Sequence, residues 1–223
     1  MPEKRPVITA DGSHTLFSPG VGEHYHSTHG AIQESLHIFI GAGFHVLRDK
    51  AGELNILEIG FGTGLNCLLS LAESETYGRS VRYTAIEPYP VGWSIAQSLN
   101  YCQHVPVRGY ESAFSGMHRF DEGEVRLTPG FMLTRIKRSF DDSELEAGLF
   151  HLVYFDAFSP EAQPELWKPG VFFRVRELMQ PQGVLVTYCA KGAVRRALQQ
   201  AGFVTERLQG PPGKREIIRA TAT

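Results

Sequence analysis

The chain has 223 residues, 42% of them hydrophobic and 21% charged, and a formal net charge of −2. These values describe an ordinary globular protein with one sizeable core; they exclude a disordered chain and do not advertise nucleic-acid binding, although a local basic patch remains compatible with them. Cys67, Cys102 and Cys189 are few, odd in number and far apart, no apolar run reaches transmembrane length, and the start Met1-Pro2-Glu3-Lys4-Arg5-Pro6 has no apolar signal core, so the expected location is cytoplasmic, with no membrane partner.

Val7–Ala10 and Thr15–Ser18 flank Asp11-Gly12-Ser13, which predicts a β-hairpin. His24, His26 and His29 follow closely, and the first two would face one side of a strand; no carboxylate or Cys cluster accompanies them, so no metal is expected. Ala31–Ile40 reads as a helix with Ile32, Leu36, Phe39 and Ile40 as its apolar stripe. Glu34 falls off that stripe, and composition alone favours a solvated position for it.

The next stretch organises the rest. Ile56, Leu57 and Ile59 form a short apolar run that suits a buried parallel strand, Gly60, Gly62 and Gly64 turn the chain, and Leu65, Leu68, Leu69 and Ala72 continue at helical spacing. Strand, glycine turn and helix start make a nucleotide-sized cradle. The spacing is G-x-G-x-G, not the G-x-G-x-x-G of dinucleotide sites, and Glu58 precedes the first glycine by two residues. Glu58-x-Gly-x-Gly-x-Gly resembles the first motif of Rossmann-like S-adenosylmethionine methyltransferases, in which an acid can hold the ammonium of the donor.

Val81–Glu87 reads as the second core strand, and Glu87 stands where a Rossmann-type sheet places a carboxylate for ribose hydroxyls. Pro88 stops that strand, and Val91–Leu99 reads as a helix opened by Pro90. Val125–Thr128 and Phe131–Ile136 read as strand, turn, strand around Pro129-Gly130, followed by an acidic loop with Asp141, Asp142, Glu144 and Glu146, among which no adenine partner stands out. Phe150–Asp156 is the fourth core strand and again ends in an acid, followed by Ala157-Phe158-Ser159-Pro160. Asp-Ala-Phe-Ser-Pro resembles the Asp-Pro-Pro-aromatic loop of amino-group methyltransferases. A carboxylate there can orient an amine lone pair and take its proton, and an aromatic wall favours the developing cation, which selects Asp156 and Phe158. Strands at Val184–Cys189, from Phe203 and at Ile217–Ala220 complete seven, with a helix over Lys191–Gln200. Lys191, Arg195, Arg196, Lys214 and Arg215 give the last third a basic bias suited to phosphate.

Four stretches together resemble the methyltransferase domain of MnmC-type tRNA enzymes: Tyr25-His26-Ser27 through Gln33-Glu34; Glu58-Ile-Gly-Phe-Gly-Thr-Gly-Leu-Asn66; Asp156-Ala-Phe-Ser-Pro160 with Trp167; and Gly213-Lys-Arg-Glu216. The resemblance spans nearly the whole chain. It implies S-adenosyl-L-methionine as cofactor and methylation of the amine of a 5-aminomethyl wobble uridine in tRNA. It implies a donor site of Glu58, Gly60, Phe61, Gly62, Thr63, Gly64, Asn66, Glu87, Pro88 and Asp156. Glu34, Tyr25 and the Lys214-Arg215 loop would close over the base, with Glu34 in the catalytic set beside Asp156 and Phe158. Many relatives add a flavin-dependent oxidase domain that this sequence does not show, so a separate oxidase or upstream tRNA-modification enzyme is a candidate partner. The Gly-Asp that relatives often show near Ile136 is replaced by Lys137-Arg138-Ser139.

The expectation is therefore one α/β methyltransferase domain over 1–223, Rossmann-like of class I, with a seven-stranded mostly parallel sheet. Residues 51–223 would form the core and 1–50 a hairpin–helix extension packed over the site. The alternatives are a small-molecule amine methyltransferase, an aminopropyltransferase like the polyamine synthases, and a non-catalytic donor-binding module. A dehydrogenase is disfavoured by the glycine spacing.

Overall fold

The computed structural model describes residues 4–223, so the first three residues of the segment read above for a signal core lie outside it. The main sheet has eight strands, in the order β10-β11-β9-β8-β4-β5-β7-β6. They are β4 (Leu54–Ile59), β5 (Val81–Ile86), β6 (Gly123–Thr128), β7 (Phe131–Ile136), β8 (Phe150–Phe155), β9 (Met179–Thr187), β10 (Phe203–Gln209) and β11 (Glu216–Ala222). Pairs β4–β5, β4–β8, β5–β7 and β8–β9 are parallel, while β6 and β11 run against their neighbours. The count exceeds the expected seven because Val125–Thr128, read as a strand but not numbered among the core strands, joins the main sheet at its edge, registered on β7.

Period-two alternation splits the core into two layers. Leu54 and Ile56 face one cluster with Leu65, Leu68, Leu69 and Ala72 of α2 (Leu65–Thr76), while Leu57 and Ile59 face another with Val171, Phe172 and Val175 of α5 (Pro169–Leu178) and Val194, Ala197 and Leu198 of α6 (Gly192–Gln200). Helices thus cover both faces, as strands read from continuous apolar runs require.

The N-terminal residues form a separate small sheet, β1 (Arg5–Ile8), β2 (His14–Ser18) and β3 (Glu23–His24). The Asp11-Gly12 turn works as its sequence predicts, and Asp11 does more than turn the chain. Its carboxylate accepts from the Ser13 N–H at 2.9 Å and from the Gln33 N–H at 3.0 Å, tying the hairpin to the start of α1 (Ala31–Ser35). The predicted helix over Ala31–Ile40 is not uniform: after Ser35 it loosens into a π-helical turn, Leu36–Gly41, whose Ile38, Phe39 and Ile40 are buried in the α2-side core. The helix expected over Val91–Leu99 is reduced to α3 (Trp93–Ala96), while α4 (Glu111–His118) forms where the pattern was poor.

The chain leaves β4 to build β5 and β7 on one side, then returns to place β8 on the other side of β4. Open parallel sheets gather ligands at the carboxyl ends of strands where the order reverses in this way. The loops after β4, β5 and β8 begin with Gly60, Glu87 and Asp156 respectively.

Candidate active site

A cavity of about 1220 Å³ opens at that edge, above the usual ~300–1,000 Å³ of small-ligand sites and so roomy enough for a nucleoside-bearing donor and a second reactant. Its walls include Gly60, Phe61, Gly62 and Thr63 after β4, Glu87 and Pro88 after β5, Asp156 and Phe158 after β8, Tyr25 and Glu34 from the N-terminal segment, and Lys214 from the β10–β11 loop.

The glycine turn leaves no space for side chains. Gly60 has φ +93°, and a Cβ there would meet the Asp156 carbonyl carbon at 2.8 Å; Gly62 has φ +52°, and a Cβ there would meet the Tyr25 ring at 2.8 Å. Backbone is therefore exposed to a ligand beside the first turn of α2. Glu87 braces the turn: its carboxylate accepts from the Gly62 N–H at 3.1 Å and from the Tyr89 N–H at 2.9 Å, and keeps lone pairs for hydroxyls in the cavity. Of the four acids of the loop that follows β7, Asp141 alone reaches the cavity wall. A cradle that excludes any Cβ, a strand-end carboxylate and a cluster of acids around the cavity fit a cationic adenosyl donor.

Asp156 is half-buried, and its Oδ2 accepts from Asn66 Nδ2 at 2.8 Å. Burial first, and then the negative charge of Glu34, push its carboxyl up from 3.8 to about 8, while the Asn66 hydrogen bond and Lys214 act the other way. Beside it stands an aromatic pair. Phe158 meets Tyr25 edge-on with ring centroids 5.0 Å apart, its N–H donates to Gln163 Oε1 at 3.2 Å, and its carbonyl accepts from Trp167 Nε1 at 2.8 Å. Glu23 of β3 accepts from the Ser159 N–H at 3.1 Å and from the Ser159 hydroxyl, so the N-terminal sheet clamps the loop that carries Phe158.

Several sequence expectations change. Glu34 is not solvated: it is 7% exposed, accepts from the Ser27 N–H at 2.7 Å, and pairs with Lys214 Nζ at 3.1 Å. Its burial comes from the β10–β11 loop, which α1's own periodicity cannot reveal. Glu58 cannot hold the donor's ammonium directly, because it is wholly buried beneath the cavity floor, where Oε1 accepts from Asn66 Nδ2 at 2.9 Å. Asn66 and Gly64 likewise support the floor without lining the cavity, and Asn66 acts through the two carboxylates it bridges. Lys191 and Arg215 lie outside the cavity and line, with Lys214, a shallow depression beside its mouth; Arg195 lines neither. His26 lies beyond β3 and donates its N–H to Thr15 Oγ1 at 2.9 Å, while His24 packs on Phe17. Among the described residues no group of three or more His, Cys, Asp or Glu side chains is placed to hold a metal ion. Sequence reasoning missed Glu23, Lys4 and Tyr188. Tyr188 donates to the Ala157 carbonyl at 2.9 Å and puts its ring 4.9 Å from the Lys214 ammonium, a role its place at a strand end could have suggested.

Comparison with known proteins agrees with this geometry. The chain belongs to the S-adenosyl-L-methionine-dependent methyltransferase family whose profile matches residues 98–223, which makes it an enzyme that uses S-adenosyl-L-methionine. It is similar to the tRNA 5-methylaminomethyl-2-thiouridine biosynthesis bifunctional protein MnmC of Ralstonia nicotianae, at 32% identity over 96% of this chain and 34% of the relative. The chain therefore spans about a third of the length of the curated relatives it matches. The crystal structure of MNMC2 from Aquifex aeolicus superposes with a TM-score of 0.84 at 26% identity, covering 100% of this chain and 71% of that one. Spermidine synthase from Thermotoga maritima shares the fold, with a TM-score of 0.58 at 12% identity over 100% of this chain and 72% of that one. Among the described residues no helix is long and apolar enough to cross a membrane.

Proposed function

We propose that the chain methylates the primary amine of a 5-aminomethyl group on the wobble uridine of tRNA, giving 5-methylaminomethyl-(2-thio)uridine. The observation that carries this reading is Asp156, a carboxylate tuned to about 8 on the wall between the glycine turn and the Tyr25–Phe158 pair. The names of the relatives supply the tRNA.

Bound S-adenosylmethionine supplies an electrophilic methyl on a cationic sulfur. Gly60, Gly62 and Glu87 would hold it by backbone and carboxylate, with Phe61, Thr63, Pro88 and Asp141 along the wall. An ammonium entering the cavity meets Asp156, and the carboxylate takes one of its protons. The freed lone pair is held in line by a hydrogen bond from a remaining N–H to Asp156. Transfer would form the new N–C bond as the S–C bond breaks, with its electron pair left on sulfur. Phe158 and Tyr25 face the nitrogen as it becomes cationic. Glu34, joined to Lys214, closes the pocket from the N-terminal side, so residues 4–50 serve as cover and 51–223 as core. Lys191, Arg215 and Arg195 receive the tRNA backbone outside the mouth, with Lys214 at its edge. The partner activity is a separate enzyme that supplies the primary amine.

Purified protein given methyl-labelled donor should label tRNA bearing 5-aminomethyluridine and not tRNA lacking it; equal or faster transfer to free diamines refutes the proposal. Two further results are expected. Glu34→Gln breaks a buried pair that links α1 to the β10–β11 loop, and should raise the KM for tRNA at least about 10-fold with a smaller effect on donor affinity. The pH profile should show kcat rising through about 8 as Asp156 ionises. Stability should run the other way. The folded carboxyl is raised above its unfolded value, so stability is fullest below 3.8 and is lost as pH rises towards about 8. Asp156→Asn should therefore melt above the wild type at alkaline pH, by about 2 °C or more, in calorimetry.

A further inference from the structure

Glu58 has no part in the mechanism above, yet the structure commits it to the floor of the site. It shares the α2-facing side of β4 with Leu54 and Ile56, and is 0% exposed. The groups facing it are Asn66 and Cys67 from α2, Tyr83 from β5, Tyr154 from β8 and Asp156 just beyond, with Glu87 further off; the buried Arg135 of β7 acts on Cys67 rather than on Glu58, and no cation faces Glu58 directly. An ionised carboxylate so placed would be desolvated without a counter-charge.

The hydrogen bonds point the same way. Asn66 Nδ2 has two hydrogens, and both are committed: one to Glu58 Oε1 at 2.9 Å, one to Asp156 Oδ2 at 2.8 Å. Only the nitrogen end of the amide can satisfy two carboxyl oxygens at once. Asn66 Oδ1, Glu58 Oε2 and the Tyr83 hydroxyl are buried without a partner at good hydrogen-bonding geometry, and Tyr83 lies close enough to Glu58 for the two to bond. A proton on Glu58 Oε2 turns an orphaned acceptor into a donor among them.

Resting on the function proposed above, we propose that Glu58 is a positioning residue that works as a neutral carboxylic acid. Its carbonyl oxygen accepts one N–H of Asn66, which commits the other to Asp156 and leaves the second Asp156 oxygen for the substrate amine. Burial, with the nearby Asp156 charge second, drives the Glu58 carboxyl well above the ordinary carboxylate range, so Asp156 ionises while Glu58 keeps its proton. Two acids on one amide thereby divide their tasks by environment, one exchanging protons and one holding geometry.

The test compares Glu58→Gln with Glu58→Ala, because glutamine copies the neutral acid and alanine frees the amide. Glu58→Gln should turn over at least about 10-fold faster than Glu58→Ala, with donor affinity by calorimetry within about 3-fold of wild type in both and with the alkaline rise of kcat kept in Glu58→Gln. In Asp156→Asn, where the other acid no longer contributes, infrared spectra should show a protonated-carboxyl C=O band at about pH 7 that disappears when Glu58→Gln is added. The glutamine variant being as slow as the alanine one, a donor Kd weakened beyond about 10-fold in Glu58→Gln, or the absence of that band would each overturn the proposal. If Glu58→Ala does not fold, the infrared comparison decides. That arm needs no tRNA, so the band can stand while the tRNA reading fails, and it can be missing while tRNA is methylated.

Discussion

Asp156→Ala is expected to lower kcat at least about 1,000-fold while leaving the affinity for S-adenosylmethionine within about 3-fold, as read by single-turnover transfer and by calorimetry. The split follows from where the side chain sits. In the proposed reading the donor rests on backbone at Gly60 and Gly62 and on Glu87, whereas Asp156 reaches the cavity from the neighbouring strand and is held there by Asn66. Removing the carboxylate removes the proton acceptor and the group that aims the lone pair, and both act on the step of bond formation. Alanine also releases a carboxyl that burial penalises, so the variant should fold. Near wild-type turnover in this variant would refute the role.

Gly60→Ala should be comparably damaging by a different route. At φ +93° an L-residue is strained, and its Cβ would press on the carbonyl of Asp156, which itself follows a strand bonded to β4. The backbone of β4 or of the Asp156 loop must shift, and both carry the site. We expect a loss of about 3 kcal/mol or more in stability, a lowered Tm, and donor binding weakened beyond detection by calorimetry. This variant loses donor affinity, where Asp156→Ala loses chemistry, and the contrast separates cradle from base. Gly20, by comparison, has open space around it and should accept alanine without either effect.

Much of this was legible in the chain because it is written locally. A short apolar run, alternate glycines and a helical repeat follow one another from Ile56 to Ala72, and backbone geometry alone makes of them a strand, a tight turn and a helix start. Glu87 and Asp156 were readable for the same reason: each closes an apolar strand, and parallel strands bring their carboxyl ends to one edge. Glu34 and Glu58 were not. Glu34 is buried by Lys214, which lies 180 positions along the chain, and periodicity on α1 carries no trace of that partner. Glu58 sits in a motif position that suggests direct contact, and only its burial beneath α2, where it accepts from Asn66, shows that it lies under the floor. The basic residues of the last third were legible as charge but not as place, since Lys214 enters the cavity and Lys191 and Arg215 stay outside it. The strand, turn and strand over Val125–Ile136 were legible, whereas the place of β6 at the edge of the main sheet depends on its register with β7.

The N-terminal segment ties these parts together. Glu23 grips Ser159, Tyr25 packs on Phe158 and covers Gly62, and Glu34 reaches Lys214, so the donor cradle, the aromatic wall and the basic loop are all held from one side. Exclusion of water from a cavity closed in this way would strengthen the charge effects on which Asp156 depends.

The most direct measurement is a crystal structure with S-adenosylhomocysteine, the demethylated donor, bound. Its sulfur should face Asp156 across a gap that admits a single amine nitrogen, with the nitrogen-to-methyl approach at about 3–3.5 Å when a substrate amine is added. A sulfur turned away from Asp156, or a gap filled by the protein's own side chains, would contradict the assignment of that carboxylate to the amine.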